Sequence, residues 1–204
     1  MIPKVTPPGI EDSEDARVAF LSLPKAGETA NGDRPVVQRG PGDRIVLGIV
    51  DALGHGPEAQ EVALLALDAI AHAPTDAPVE TIMQQVHDRL RGSRGAAATL
   101  CVLSGGYIEA CGVGNVELRC HETAIPFVVS PGILGMRVQR FRACRVRIAP
   151  TSRVVFFSDG IDPVNRVHDF RKLLPADACR SLLHLHRRKE DDATVLVADL
   201  DEAP

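Results

Sequence analysis

The sequence has 204 residues, of which 45% are hydrophobic and 25% are charged, and its formal net charge is −4 at pH 7. A chain of this length can bury one sizeable core, and its negative charge disfavours nucleic-acid binding, which usually needs a basic face. No run approaches the roughly 18 apolar residues of a membrane span, and no signal peptide is evident, so we expect a cytoplasmic protein that does not enter a membrane.

The N-terminal quarter of the chain predicts two strands. Residues 1–16, which are rich in proline and acids, are expected to form a loose leader to a single domain that spans 17–204. Strands are predicted at 17–23 and 44–50, and the second is so apolar on both faces that it should lie inside a sheet. The segment 25–35 between them is expected to lack regular structure.

Two helices and a series of short strands follow. Apolar residues recur at helical spacing over 57–73 and 79–92, and helical character returns over 163–189 before a last strand at 193–200. Turn-forming residues divide the middle of the chain into six predicted strands: 97–104, 107–113, 115–121, 125–130, 139–148 and 153–158.

This order lacks the regular strand–helix alternation of a doubly wound fold. Two packed antiparallel sheets with helices outside them fit it better. The predicted fold class is α+β, a central antiparallel β-sandwich flanked by helices on both outer faces in α-β-β-α layers.

Aspartates stand at the ends of several predicted strands. They are Asp33 after the first strand, Asp51 at the end of the second, Asp159 at the end of the 153–158 strand, and Asp191 and Asp192 before the last strand. Each alone is a common turn former. A buried cluster of carboxylates, however, normally persists because cations neutralise it, and oxygen ligands without matching His or Cys favour Mg²⁺ or Mn²⁺.

Six short motifs share an order with a known family. They are NGD (31–33), DALGHG (51–56), RGAAAT (94–99), GVGN (112–115), SDG (158–160) and DDAT (191–194). Together they resemble the metal-dependent PPM-type serine/threonine protein phosphatases, in particular the bacterial branch related to stage II sporulation protein E. Within that branch the resemblance is greatest to the stand-alone RsbX-type enzymes that act on stressosome proteins.

The resemblance implies two Mn²⁺ or Mg²⁺ ions at one edge of the sandwich. Asp51 would bridge both ions, and the Ala52 backbone carbonyl would approach one of them. Asp33 would bind in the same centre, and Asp159 and Asp191 would serve the second ion. Asp51 and Asp159 are thereby implied to be the catalytic residues, through a metal-bridging hydroxide that attacks phosphorus.

Three further residues are secondary candidates: Asp192, Gly160 and His55. Asp192 is expected to be a neighbour of the ligands. Relatives mostly have Gly at the position of Ala52, and the eukaryotic-type members place a proposed general acid where this chain has Leu53. His55 is therefore interpreted as a turn and helix-start residue rather than an acid.

The predicted function is hydrolysis of phosphoserine or phosphothreonine on a bacterial signalling protein. The expected partner is a phosphorylated stressosome scaffold protein or an anti-sigma-factor antagonist. Two alternatives remain open: a catalytically silent phosphoprotein-binding module of the same fold, and a hydrolase of small phosphomonoesters.

Two other sets of residues have more than one interpretation or exclude a kind of site. Five arginines between positions 137 and 147 could steer an acidic phosphoprotein, or form only a solvated face. The five cysteines include no C-x-x-C pair and are odd in number, which indicates reduced thiols rather than zinc ligands or a complete disulfide framework.

Overall fold

The computed structural model describes residues 11–12, 18–162 and 170–200. Its helices are α1 (Pro57–Ala71), α2 (Val79–Arg89) and α3 (Pro175–His186). Its strands are β1 (Glu11–Asp12), β2 (Val18–Leu23), β3 (Asp33–Arg39), β4 (Ile45–Ala52), β5 (Ala96–Ser104), β6 (Tyr107–Val113), β7 (Glu117–Cys120), β8 (Gly132–Ile133), β9 (Arg137–Val138), β10 (Ala143–Arg147), β11 (Arg153–Phe157) and β12 (Ala193–Asp199).

The strands form two antiparallel sheets and one short hairpin. Sheet I has the strand order β10-β6-β5-β4-β3, and sheet II has the order β1-β2-β12-β11-β7. The hairpin consists of β8 and β9. All pairs among the described strands are antiparallel, including those between strands far apart in the chain, such as β2 and β12.

Three apolar layers hold the elements together. Helices α1 and α2 pack on the outer face of sheet I, and α3 packs against β2 and β12 of sheet II. The layer between the sheets contains Leu47, Ile49, Phe156 and Leu196, all of which are fully buried. The predicted sandwich with helices on both outer faces is confirmed.

Strand β4 shows why this sequence forms an inner strand. Leu47 and Ile49 face sheet II, whereas Val46 and Val50 face α1 and α2, so both faces of the strand are buried. Gly48 lies against β5, where a Cβ atom would come within 2.2 Å of the Thr99 carbonyl oxygen. Only glycine permits that close approach of the two backbones.

The structure corrects three sequence predictions. The segment predicted to be irregular ends in β3, which starts at Asp33 and gains its hydrogen bonds from β4. The predicted strand at 125–130 is wrong: only Ser130 forms a bridge, with Val113, because Pro126 has no N–H to donate. Strand β4 also continues one residue beyond Asp51, to Ala52.

Some predictions lie partly outside the described residues. Of the predicted leader the structure describes Glu11 and Asp12, which pair with β2, and of the predicted helical segment 163–189 it describes 170–189, which contains α3. All five cysteines are free thiols, as predicted. Among the described residues, no helix has the length and apolar content needed to cross a membrane.

Candidate metal centre

Two of the predicted acidic residues face each other across adjacent strands of sheet I. Asp33 opens β3 and pairs with Asp51 near the end of β4, and Asp51 pairs on its other side with Ala97 of β5. The backbone N–H of Ala52 donates to the Gly32 carbonyl at 3.1 Å and extends this pairing by one step. The register therefore places both carboxylates at the same edge of sheet I.

Sheet II brings its own acidic residues to that edge. Phe157 of β11 pairs with Val195 of β12, so the loops that carry Asp159 and Asp191 leave the sheet side by side. Gly160 lies so close to the second loop that a Cβ atom there would stand 1.8 Å from the Asp192 carbonyl oxygen. The two loops are thus in backbone contact.

The acidic residues of the two sheets meet in one cluster. The carboxylates of Asp33, Asp159, Asp191 and Asp192 all act electrostatically on Asp51. Asp33 and Asp192, which are 159 positions apart in the chain, therefore belong to the same cluster.

A closed ring of hydrogen bonds joins the two sheets behind this cluster. The Ser158 hydroxyl donates to Asp33 Oδ2 at 2.6 Å and accepts the Thr194 N–H at 3.0 Å. The Thr194 and Ser22 hydroxyls lie 2.5 Å apart, Asn31 Nδ2 donates to Ser22 Oγ at 2.8 Å, and the Asp33 N–H returns to Asn31 Oδ1 at 2.8 Å. All five residues of this ring, which we call the polar ring, are buried.

Two other side chains fix the acidic residues of the loops. Asn115 Nδ2 donates to Asp159 Oδ2 at 2.5 Å. Asp192 accepts the N–H of Lys25 on Oδ1 and that of Gly32 on Oδ2, each at 2.7 Å. Both carboxylate oxygens of Asp192 therefore accept hydrogen bonds from the loop that leads into β3, and they hold that loop in place.

Burial and mutual repulsion favour the protonated carboxyl groups in the metal-free protein. Burial, chiefly, raises the pKa of Asp33 to about 7, opposed by the Ser158 hydrogen bond and reinforced by the Asp192 charge. Burial and then the neighbouring carboxylates, Asp33 foremost, raise the pKa of Asp51 well above its ordinary value. The pKa of Asp159 is raised by burial and by Asp191. A cation placed here would relieve both costs.

The donor set suits a hard divalent cation, because it consists of carboxylate and carbonyl oxygens. Within the described ranges, however, no three His, Cys, Asp or Glu side chains surround a common point closely enough to coordinate one ion. The hydrogen bonds to Ser158 and Asn115 hold one oxygen each of Asp33 and Asp159. These residues fit an ion in their donor chemistry and their location.

His55 lies outside the cluster, on the exposed side of the loop before α1. Its Nδ1 contacts the Glu28 carboxylate, and its Nε2 is 2.9 Å from Lys25 Nζ. Gly54 and Gly56 on either side have φ angles of 83° and 80°, which an L side chain rarely adopts. The two glycines turn the chain from β4 into α1, which starts at Pro57.

The raised pKa of Asp33 predicts a pH effect on stability. Asp33 releases its proton near pH 3.8 in the unfolded chain but near pH 7 in the folded protein. Between these values the folded state holds a proton that the unfolded chain has already lost, so the metal-free protein loses stability as the pH rises through this range. We expect the melting temperature in chelator to be lower at about pH 8 than at about pH 5. Saturating Mg²⁺ or Mn²⁺ should remove most of that decline.

The matched variants are Asp33→Asn, which keeps an acceptor for Ser158 without the charge, and Asp68→Asn on the exposed face of α1. Asp33→Asn should flatten the pH dependence in chelator, and Asp68→Asn should leave it intact. A melting temperature that rises with pH between these values in the metal-free wild type would contradict the prediction.

Comparison with known proteins identifies the family of this fold and cluster. The family model described as stage II sporulation protein E (SpoIIE) matches residues 41–201. The chain belongs to the SpoIIE family. The resemblance inferred from the six motifs is thereby confirmed.

Solved structures share the fold of this SpoIIE-family chain. A chain described as "The bacterial stressosome: a modular system that has been adapted to control secondary messenger signaling" is 30% identical, with a TM-score of 0.81 over 91% of this chain and 100% of that one. RsbX in complex with magnesium has a TM-score of 0.79 at 22% identity, covering 94% and 100% of the two chains.

A third similar structure is the catalytic domain of the serine/threonine protein phosphatase PstP in complex with two manganese ions. Its TM-score is 0.68 at 17% identity, covering 91% of this chain and 98% of that one. At such identities RsbX and PstP show the common fold. No curated protein matches the sequence.

Several side chains of this SpoIIE-family site were not singled out from the sequence. Asn31, Asn115 and Ser158 stand inside the motifs, beside the acidic residues that drew the interpretation. Arg188 lies outside the six motifs and has no such signal. Its Nε donates to Asp162 Oδ1 at 2.6 Å, and its N–H donates to the Gly160 carbonyl at 2.8 Å, which places it beside Asp159.

Proposed function

We propose that the protein is a phosphatase that hydrolyses phosphoserine or phosphothreonine on a bacterial signalling protein and depends on two Mn²⁺ or Mg²⁺ ions. One observation carries the proposal: aspartates from four separate motifs of a SpoIIE-family chain interact at a single edge of the sandwich. A cluster of repelling, desolvated carboxylates at one edge is what a divalent cation site requires and what a purely structural edge would avoid.

The residues assigned to the ions are Asp33, Asp51, Asp159, Asp191 and the backbone carbonyl of Ala52. When bound, the ions would supply an activated water and hold a phosphoryl oxygen of the substrate. RsbX was solved with magnesium and PstP with two manganese ions, which supports divalent ions of this kind.

The chain's own groups orient the site. Asn115 fixes the Asp159 carboxylate by its hydrogen bond, and Ser158 does the same for Asp33. Arg188 is charged and exposed, and its charge lowers the pKa of Asp159 against the larger effects that raise it. We assign Arg188 to binding the substrate's phosphoryl oxygens, which need a cation on the side of the cluster that faces solvent.

The likeness to a stressosome-related chain supports a substrate of that class, namely a phosphorylated stressosome scaffold or an anti-sigma-factor antagonist protein. A silent phosphoprotein-binding module is the second candidate, and a small-phosphomonoester hydrolase is the third. The retained acid at each of the four metal positions favours an enzyme over the silent module.

The test is phosphate release from phosphoserine and phosphothreonine proteins and from para-nitrophenyl phosphate, each with Mn²⁺, with Mg²⁺ and with chelator. Metal-dependent release from phosphoproteins, with much lower kcat/KM on the small ester, supports the proposal. Release from the small ester alone would support the third candidate. Phosphoprotein binding without release under any metal condition would support the silent module.

Replacing His55 with alanine is expected to lower kcat by less than about fivefold, because the imidazole contacts Lys25 and Glu28 rather than the carboxylate cluster. His72→Ala, at the exposed end of α1, is the matched control. Both are measured by steady-state phosphate release. A loss of several hundredfold in His55→Ala alone would make this residue part of the chemistry.

A further inference from the structure

A row of exposed arginines runs along the free edge of sheet I. It consists of Arg137, Arg140, Arg142, Arg145 and Arg147, and we call it the arginine strip. Arg145 lies 4.6 Å above the Tyr107 ring and 3.6 Å from Glu109. The other four make no ion pair within the described residues, so most of the charge of the arginine strip is uncompensated.

The strip is held in place by the apolar residues that alternate with the arginines. Val138 and Phe141 pack against the layer beneath α1 and α2, while Cys144 and Val146 pack into the layer between the sheets. The arginines, all of which are exposed, therefore lie on a backbone that is anchored on both faces of sheet I. In β10, the last strand on that edge of sheet I, Arg145 and Arg147 pair with Glu109 and Tyr107 of β6.

One end of the strip adjoins the candidate metal centre. Ala96 pairs with Ala52 on one side and bridges Leu134 on the other, through hydrogen bonds of 2.9 Å and 3.2 Å. The β8–β9 hairpin, whose second strand starts with Arg137, therefore stands in the same row as the end of β4. From there the strip leads away along β10, whose five residues extend about 16 Å at roughly 3.3 Å per residue.

An exposed apolar residue lies at the end of the strip nearest the metal centre. Met136 is 61% exposed and sits in the hairpin turn next to Gly95, whose carbonyl accepts the Leu53 N–H at 3.0 Å. Arginine and methionine are both enriched in protein interfaces. The surface thus combines an apolar contact with a line of free cations.

We propose that Met136 and the arginine strip bind an acidic segment of the phosphoprotein substrate, flanking the residue whose phosphate enters the metal centre. This inference rests on the proposed function, and it further specifies that the preferred substrate is negatively charged beside the phosphorylated residue. The proposal rests on charge complementarity. Four arginines without ion pairs stand together on a chain of net charge −4, and they lead away from a site that is proposed to receive a phosphate dianion. An extended acidic segment can follow the strip from that site.

The experiment uses two phosphopeptides that differ only in having glutamates or glutamines beside the phosphorylated residue. Arg140→Gln/Arg142→Gln is compared with Lys172→Gln/Arg180→Gln, which removes the same charge near and on α3, on the other side of the sandwich. We expect the first variant to raise KM about tenfold for the glutamate peptide alone, with kcat on para-nitrophenyl phosphate unchanged. The control variant should retain the wild-type preference.

Binding of the fluorescein-labelled peptides in chelator separates this inference from the proposed function. If no phosphate is released under any condition but the first variant still loses affinity for the glutamate peptide, the strip binds acidic segments and the enzymatic proposal fails. Turnover without a preference for the glutamate peptide would contradict the proposed role of the strip. An equal loss of affinity in the control variant would contradict it as well. Tighter binding of an RNA of equal charge than of the glutamate peptide would overturn the assignment to a protein segment.

Discussion

Asp51→Asn is expected to lower kcat for phosphate release by about a thousandfold or more, with little loss of folded protein. Asp51 lies at the centre of the cluster, where Asp33, Asp159 and Asp191 all act on it. The amide has nearly the same size but lacks the negative charge with which Asp51 is proposed to hold a divalent cation. Steady-state phosphate release with saturating Mn²⁺ measures the effect.

The variant should also lose metal-dependent thermal stabilisation, a readout that does not depend on turnover. In chelator it should melt at or above the wild-type temperature at pH 8, because the substitution removes a buried carboxyl group that is costly to ionise beside Asp33 and Asp159. Asp68→Asn serves again as the control and should match the wild type in both measurements. Full metal-dependent activity in Asp51→Asn would show that the centre is held by other residues.

Gly160→Ala is expected to lower the free energy of unfolding by about 3 kcal/mol and to abolish most activity. The new methyl group would stand 1.8 Å from the Asp192 carbonyl oxygen, so the loops that carry Asp159 and Asp191 would have to move apart. Denaturant unfolding measures the first effect and phosphate release the second.

Gly105→Ala provides the comparison, since that glycine also lies in a turn but has nothing within 4 Å of its Cβ position. Its φ of 58° gives alanine a penalty of about 1 kcal/mol without any clash, and it lies at the opposite end of sheet I. Gly160→Ala should therefore lose most of its activity, whereas Gly105→Ala should keep most of it. Equal activity in both would mean that contact between the loops does not position the cluster.

Much of the fold followed from periodicity, because the elements with strong apolar patterns are covered on predictable faces. Helices α1 and α2 start at Pro57 and Val79, where the sequence predicts them. The sequence did not predict strand β3, because the segment DRPVVQR is polar at both ends and contains Pro35. Its place comes from pairing with β4 and from contact with α1, which are tertiary effects.

The acidic residues of the site were predictable, whereas their surroundings were not. Motif spacing points to Asp33 and Asp51, and the register of β3 and β4 brings them together. No local pattern pairs Ser22 with Thr194, which are 172 positions apart, or places Arg188 beside Asp159. Such contacts depend on how the two sheets stack, and that information is spread over the whole core. The ligand roles themselves stay a prediction.

The polar ring also decides how a saturation mutagenesis experiment on this protein should be scored. Ser22, Asn31 and Thr194 carry no charge and are buried, yet they help to position Asp33: Asn31 accepts its N–H, and Ser22 and Thr194 are linked to it through Ser158. Selection on phosphate release alone would rank them with the proposed metal ligands. A parallel screen for protein abundance would separate the two groups, since loss of a proposed ligand outside the ring, such as Asp51, spares the fold, whereas loss of an uncharged ring member leaves a buried hydrogen-bonding group unsatisfied.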